Sequence, residues 1–169
     1  MTNIRFRAST IADFHSMLEI EIAAATLFPT SVLPEDVGRS GSPEEIRAAI
    51  GADLAWVADA EQDGVVGFLV GETVGTAMHI VEMDVLPSHG RRGIGGLLLE
   101  HSVAQARAMG LHEITLTTFQ NIPWNAPFYA KHGFKVVCSV NHYPHLDRAL
   151  RREAALGLAE RIAMYRNVA

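Results

Sequence analysis

Between residues 78 and 119 the sequence spells a strand, a glycine-rich turn, a helix and a second strand, in that order. A largely apolar, strand-like run covers 78–85, four glycines and two arginines crowd 90–96, and no helix breaker follows until Gly110. Alternation returns over 113–119. A strand, helix and strand within about 40 residues make a βαβ unit, whose strands run parallel and join by a right-handed crossover.

The turn inside that unit has its own chemistry. The first amides of a helix lack intrahelical acceptors, and the helix dipole adds partial positive charge there. Glycines let the main chain approach an anion closely, and Arg91 and Arg92 add fixed charge. The pattern lacks the Gly-Lys-Ser/Thr ending of a nucleoside-triphosphate loop. It also departs from Gly-x-Gly-x-x-Gly, because Leu98 follows Gly93 and Gly95. A plain connecting turn is the competing reading.

A chain of 169 residues suits a single domain spanning 1–169. The net charge of −5 argues against nucleic-acid binding. No apolar run approaches membrane-span length, and no signal-peptide core follows Met1, so a cytoplasmic protein without membrane contact is expected. Cys138 is the only cysteine; lying in an apolar run, it reads as a buried packing residue.

Strands are predicted over 4–8, 54–60, 65–74, 78–85, 113–119 and 134–140, with a last strand over 160–167 pairing beside 134–140. Helices are predicted over 11–28, with Ile11, Phe14, Leu18 and Ile22 at helical spacing, and from Pro43 to about Ala52. Others run from the glycine turn to Gly110, from about Asn125 to Gly133, and over 146–156. Ser42-Pro43-Glu44-Glu45 is a helix start, Asp63-Gly64 a hairpin signal, and 29–41 a loop. The arginines at 148, 151 and 152 read as a solvated face.

Two separated motifs carry a resemblance. Residues 82–99 resemble the acetyl-CoA-binding core of the GNAT superfamily of N-acetyltransferases, and Phe128-Tyr129-x-x-x-Gly133-Phe134 is similar to that family's later helix and strand. The resemblance implies a mixed α/β (α+β) fold: a mostly antiparallel sheet with one parallel, splayed strand pair, flanked by helices. It implies acetyl transfer from acetyl-CoA to a primary amine of a small molecule, by direct attack in a ternary complex. Protein N-terminal or lysine acetylation is the alternative acceptor class, and an acyl-CoA-binding module without turnover the alternative outside enzymes.

The same resemblance assigns roles. The CoA pyrophosphate rests on the amides of Arg91, Arg92, Gly93, Ile94, Gly95 and Gly96, and the pantetheine arm pairs with main chain near Met83, Asp84 and Val85. The family's usual Gln or Arg, three residues before the first fixed glycine, is Gly90 here. Glu82 is the expected general base, with Asp84 its competitor; pairing with arginines is the structural alternative. Tyr129 is expected beside the CoA sulfur, against the reading of a core aromatic. Asn125, ahead of Asn121, would hold a pantetheine amide or cap a helix. His142 and His145 lack a third ligand at metal spacing, so no metal is expected, while His79 is a candidate for the acceptor pocket. The C-terminal strand pair offers an edge for a homodimer.

Overall fold

The structure, a computed structural model, describes residues 3–34 and 42–169; positions 35–41 of the expected loop lie outside the described residues. The strands are β1 (Ile4–Ala8), β2 (Ala55–Ala60), β3 (Gly64–Val74), β4 (Ala77–Val85), β5 (Glu113–Phe119), β6 (Lys135–Val136) and β7 (Arg161–Asn167). The helices are α1 (Phe14–Ala25), α2 (Pro43–Gly51), α3 (Ile94–Ala108), α4 (Ala126–Lys131) and α5 (Pro144–Ala155).

Local chemistry sets many of these boundaries. At α2, Ser42 Oγ accepts from the Glu45 amide while Glu45 Oε2 accepts from the Ser42 amide, and Pro43 fills a first-turn position that needs no donor. Gly64 opens β3 at φ +71°, the left-handed conformation a tight hairpin demands. α4 stops at Gly133, whose φ is +82°: the Gly133 amide donates to Ala130 O and the Phe134 amide to Tyr129 O.

The seven strands form one mixed sheet in the order β1-β2-β3-β4-β5-β7-β6. Every neighbouring pair is antiparallel except β4–β5, the pair joined through α3. β7 lies between β5 and β6, so it pairs beside the 134–140 segment as expected and also against β5 along its whole length.

Cross-strand partners share a sheet face. Trp56, Leu69 and Met83 lie on one face; Val57, Phe68 and Asp84, with Ala55, Val70 and Glu82, lie on the other. α3 packs on the first: Ile94 clusters with Ala58 and Ala60, and His101 meets Trp56 and Phe6. α4 lies on the same side, so close that a Cβ on Gly96 would sit 2.7 Å from His132 Cε1. α1, α2 and α5 cover the second face, with Arg152 of α5 bonded to Glu45 of α2 at 3.0 Å.

Four expectations are corrected. The 134–140 strand shrinks to Lys135 and Val136, because residues 140–142 wind into a 3₁₀ turn that leads into Pro144 and α5. Cys138, past the end of that strand, is exposed rather than buried. The first helix begins as a 3₁₀ turn and ends at Ala25. Its buried stripe is Met17, Ile20, Glu21 and Ala24, whereas Ile11 and Ile22 are exposed, because the helix turns the 17–20–21–24 side toward β3 and β4.

β1 is tied to the start of α1 by charge. Arg7 donates to Asp13 Oδ2 and Oδ1 at 2.8 and 2.9 Å and to Asp59 Oδ2 at 2.8 Å. Asp13 is buried and also accepts from the Thr10 amide. The bonds from Arg7 hold the Asp13 carboxyl below its ordinary range. A depressed folded pKa contributes stability above the unfolded value, about 3.9, and loses it as pH falls through the folded value. Asp13→Asn should therefore cost about 1–2 kcal/mol at neutral pH, with the gap to wild type closing below about pH 4 in urea melts.

Candidate active site

β4 and β5 pair through Ala77, Met78 and His79 against Glu113, Ile114 and Thr115, and the ladder goes no further although both strands continue. Among the described residues, the remainder of β4 is paired on its β3 side only. The Leu86 amide donates to Val66 O on that side. By alternation along the strand, the main-chain groups of Met83 and Val85 face the gap that β5 leaves.

A bulge in β4 decides which side chains flank the gap. Gly71 pairs with Ile80 but Val70 pairs with Glu82, so Val81 is the extra residue. Regular alternation would put Glu82 and Asp84 on the face of Met78 and Ile80. The inserted residue moves them to the other face, which His79 shares through its pairing with Glu72.

On that face the two carboxyls form a pair. Burial, then the charges of Glu82 and Glu21, raise the Asp84 pKa well above the usual carboxyl range, and Asp84 donates a hydrogen bond to Glu82. The charge of Glu82 thus favours the protonated form of Asp84. Glu21 reaches it from the buried stripe of α1. Sequence reading missed Glu21; its signal was a glutamate at a position of the 17–20–21–24 spacing that the first helix buries.

Tyr129 approaches from the other side of the sheet. Its ring packs edge-on against Phe128 and Phe134, at 5.2 and 5.6 Å between centroids. Burial chiefly, then the carboxyls of Glu82 and Asp84, push the phenol pKa above its ordinary value. The tyrosine is thus both a core aromatic and a neighbour of the acid pair. Asn125 ends up differently employed from a side-chain cap. Its Oδ1 accepts from Thr118 Oγ1 at 2.8 Å, tying the start of α4 to β5. Asn121 instead bonds Glu160 at the surface.

The glycine-rich turn closes the other end of β4. Arg91 and Gly93 take φ of +62° and +81°, and Gly93 is the N-cap of α3. Among the described residues, no backbone or side-chain acceptor takes up the amides of 91–96; the first amide bonded into the helix is that of Leu97, to Gly93 O. Arg91 and Arg92 are exposed, and neither enters an ion pair among the described residues. Also among the described residues, no group of three or more His, Cys, Asp or Glu is placed to hold a metal, and no helix is long and apolar enough to cross a membrane.

The family model for an acetyltransferase (GNAT) domain matches residues 51–136, the stretch holding the bulge, the glycine turn and Tyr129. The chain belongs to the GNAT acetyltransferase family. Solved structures repeat the fold. PaiA N-acetyltransferase from Thermoplasma acidophilum, in complex with coenzyme A, is 17% identical, with a TM-score of 0.72 over 98% of this chain and 99% of that one. The ribosomal-protein-S18-alanine N-acetyltransferase from Escherichia coli is 19% identical, with a TM-score of 0.72 over 99% and 95%. N-acetylglutamate synthase from Neisseria gonorrhoeae, complexed with coenzyme A and N-acetyl-glutamate, is 17% identical with a TM-score of 0.72; all of this chain aligns, spanning 36% of that enzyme.

The acid pair beside Tyr129 has a direct optical consequence. An ordinary tyrosine is largely ionised at about pH 11. Tyr129 should remain a phenol there, so Tyr129→Phe should leave the ultraviolet titration up to that pH unchanged. Loss of a normal titration step in that variant would contradict the geometry.

Proposed function

We propose that this chain transfers an acetyl group from acetyl-CoA to a primary amine of a small molecule, by direct attack in a ternary complex. The observation that carries the reading is the meeting of Tyr129 with Glu82 and Asp84 at the gap between β4 and β5. One end of that gap is lined by amides without acceptors. Those amides, at residues 91–96, are donors suited to a pyrophosphate, with Arg91 and Arg92 supplying charge. The open main-chain groups of Met83 and Val85 pair with the pantetheine arm as an added strand would. An N–H among them steadies the developing oxyanion of the thioester carbonyl. With Oδ1 bound to Thr118, Asn125 keeps only its Nδ2 to offer a pantetheine carbonyl.

The acceptor amine arrives as an ammonium, with a pKa of about 10, and must lose a proton before attack. Glu82 takes it, directly or through water. Asp84, holding its own proton, keeps the pair at a single charge ready for a second proton. Tyr129 stays un-ionised and donates a hydrogen bond to the departing thiolate; a phenol so raised stabilises that charge better than it gives up its proton.

A small acceptor fits the described part of the loop after α1. Val32 and Leu33 pack with Phe28 onto Phe119, Ile122 and Leu158, and Phe28 also meets Trp124 at 5.8 Å. This packing fills the end of β5, which an extended peptide would need open. The reading is tested by thiol release from acetyl-CoA across amines, amino acids, polyamines and peptides.

Two variants probe its parts. Gly93→Asp adds bulk at a left-handed position and a negative charge beside the free amides, so coenzyme A binding should be nearly abolished in calorimetry. Glu82→Gln should lower turnover at neutral pH on the order of 10²-fold. The rate should partly recover toward alkaline pH, as more amine arrives deprotonated. An unaltered pH–rate profile would remove Glu82 from the role of base.

A further inference from the structure

One buried hydrogen-bonded line lies beside the gap. His79 is on the last rung of the β4–β5 ladder, opposite Thr115, where the strands part. Its Nδ1 lies 3.1 Å from Thr115 Oγ1, and the same oxygen lies 3.0 Å from Nε2 of His145 on α5. Thr115 is fully buried and His79 nearly so, while His145 is partly exposed. The two rings stand edge to face, 5.5 Å apart. The line thus runs from the buried base of the gap to the surface.

We propose that His79, Thr115 and His145 form a proton relay that carries the proton taken from the acceptor ammonium out of the cleft to bulk water. The proposal rests on the acetyl-transfer reading above and extends it to residues outside the acid pair. The Val81 bulge sets His79 on the face of Glu82 and Asp84, so donor and relay share one side of the sheet.

The chemistry balances. In the loaded state, His79 Nδ1–H donates to Thr115 Oγ1, and the Thr115 hydroxyl donates to His145 Nε2. A proton enters at His79 Nε2 from Glu82 or a bridging water. The Nδ1 proton then moves to Thr115 Oγ1, the hydroxyl proton moves to His145 Nε2, and the Nδ1 proton of His145 passes to water. Each group gives up one proton as it receives one, and no electrons are transferred. The line resets when the Thr115 hydroxyl turns back toward His145 and each ring exchanges its Nε2 proton for one at Nδ1 through water.

The surroundings keep the relay neutral between transfers. Burial first, then the proximity of His145, push the His79 pKa down to about 4, against the opposing pull of Glu153. Burial and Arg148 lower that of His145. Glu72 of β3 pairs with His79 across the strand. On β5, Thr117 lies on the same face as Thr115, bonded to Glu153 of α5, which Arg161 of β7 neutralises at 2.9 Å. Both rings are therefore uncharged at neutral pH, as a relay of neutral groups requires.

Thr115→Val keeps the shape and removes the hydroxyl. The expected result is a fall in kcat of about 10-fold or more at neutral pH, recovering toward alkaline pH, with KM for acetyl-CoA unchanged. Thr115→Ser should rescue both rate and profile, and His145→Gln should reproduce the Thr115→Val profile. Because base and relay act in series, the double variant Glu82→Gln/Thr115→Val should fall no further than Glu82→Gln alone. A loss that is equal at every pH, that multiplies with Glu82→Gln, or that is absent overturns the relay while leaving acetyl transfer standing. Wild-type protein that releases no thiol with any amine overturns the acetyl-transfer reading, and the relay with it.

Discussion

Three rungs of parallel pairing hold β4 and β5 together before the strands part, and the chemistry of the site depends on where that pairing stops. Beyond His79, β4 keeps its neighbour on the β3 side and, among the described residues, has none on the other. Unpaired main chain inside a sheet is costly to bury without a partner. A fold that leaves Met83 and Val85 in this state reserves the space for something able to hydrogen-bond as a strand does. The same parting lets Tyr129, carried on the α3 side, feel carboxyls that belong to the α1 side.

The bulge at Val81 works with that parting. One extra residue changes which face Glu82 and Asp84 occupy, and so whether they meet Glu21 or the core beneath α3. Glu82 and Glu21 beside the buried Asp84 raise its cost of ionisation and shift its carboxyl toward the protonated form. The arrangement gives one sheet face acid and histidine groups and leaves the other to packing.

Much of this was legible in the residues. The Ser42-Pro43-Glu44-Glu45 start, the Asp63-Gly64 hairpin, the βαβ unit and the helix stop at Gly133 are local, and local chemistry decides them. The Val81 bulge was not, because nothing in Ile80-Val81-Glu82 marks an insertion; only the register against β3 reveals it. Glu21 escaped for a related reason. A helix with apolar residues on several sides has no single stripe, so the partner strands choose which side is buried. The short β6 and the exposure of Cys138 followed from a downstream turn overriding an apolar run. Strand propensity cannot foresee that competition.

The turn before α3 has a thermodynamic consequence of its own. Arg91 and Gly93 are left-handed on either side of Arg92, and that alternation curls successive N–H groups into a concave nest. Gly93 adopts its φ freely, whereas Arg91 holds it at a cost of about 1 kcal/mol or more. That strain is met once, when the chain folds. An anion docking in the nest finds its donors already aimed and has no backbone to order, so its affinity is not reduced by the cost of shaping the site. The nest exchanges a little global stability for readiness.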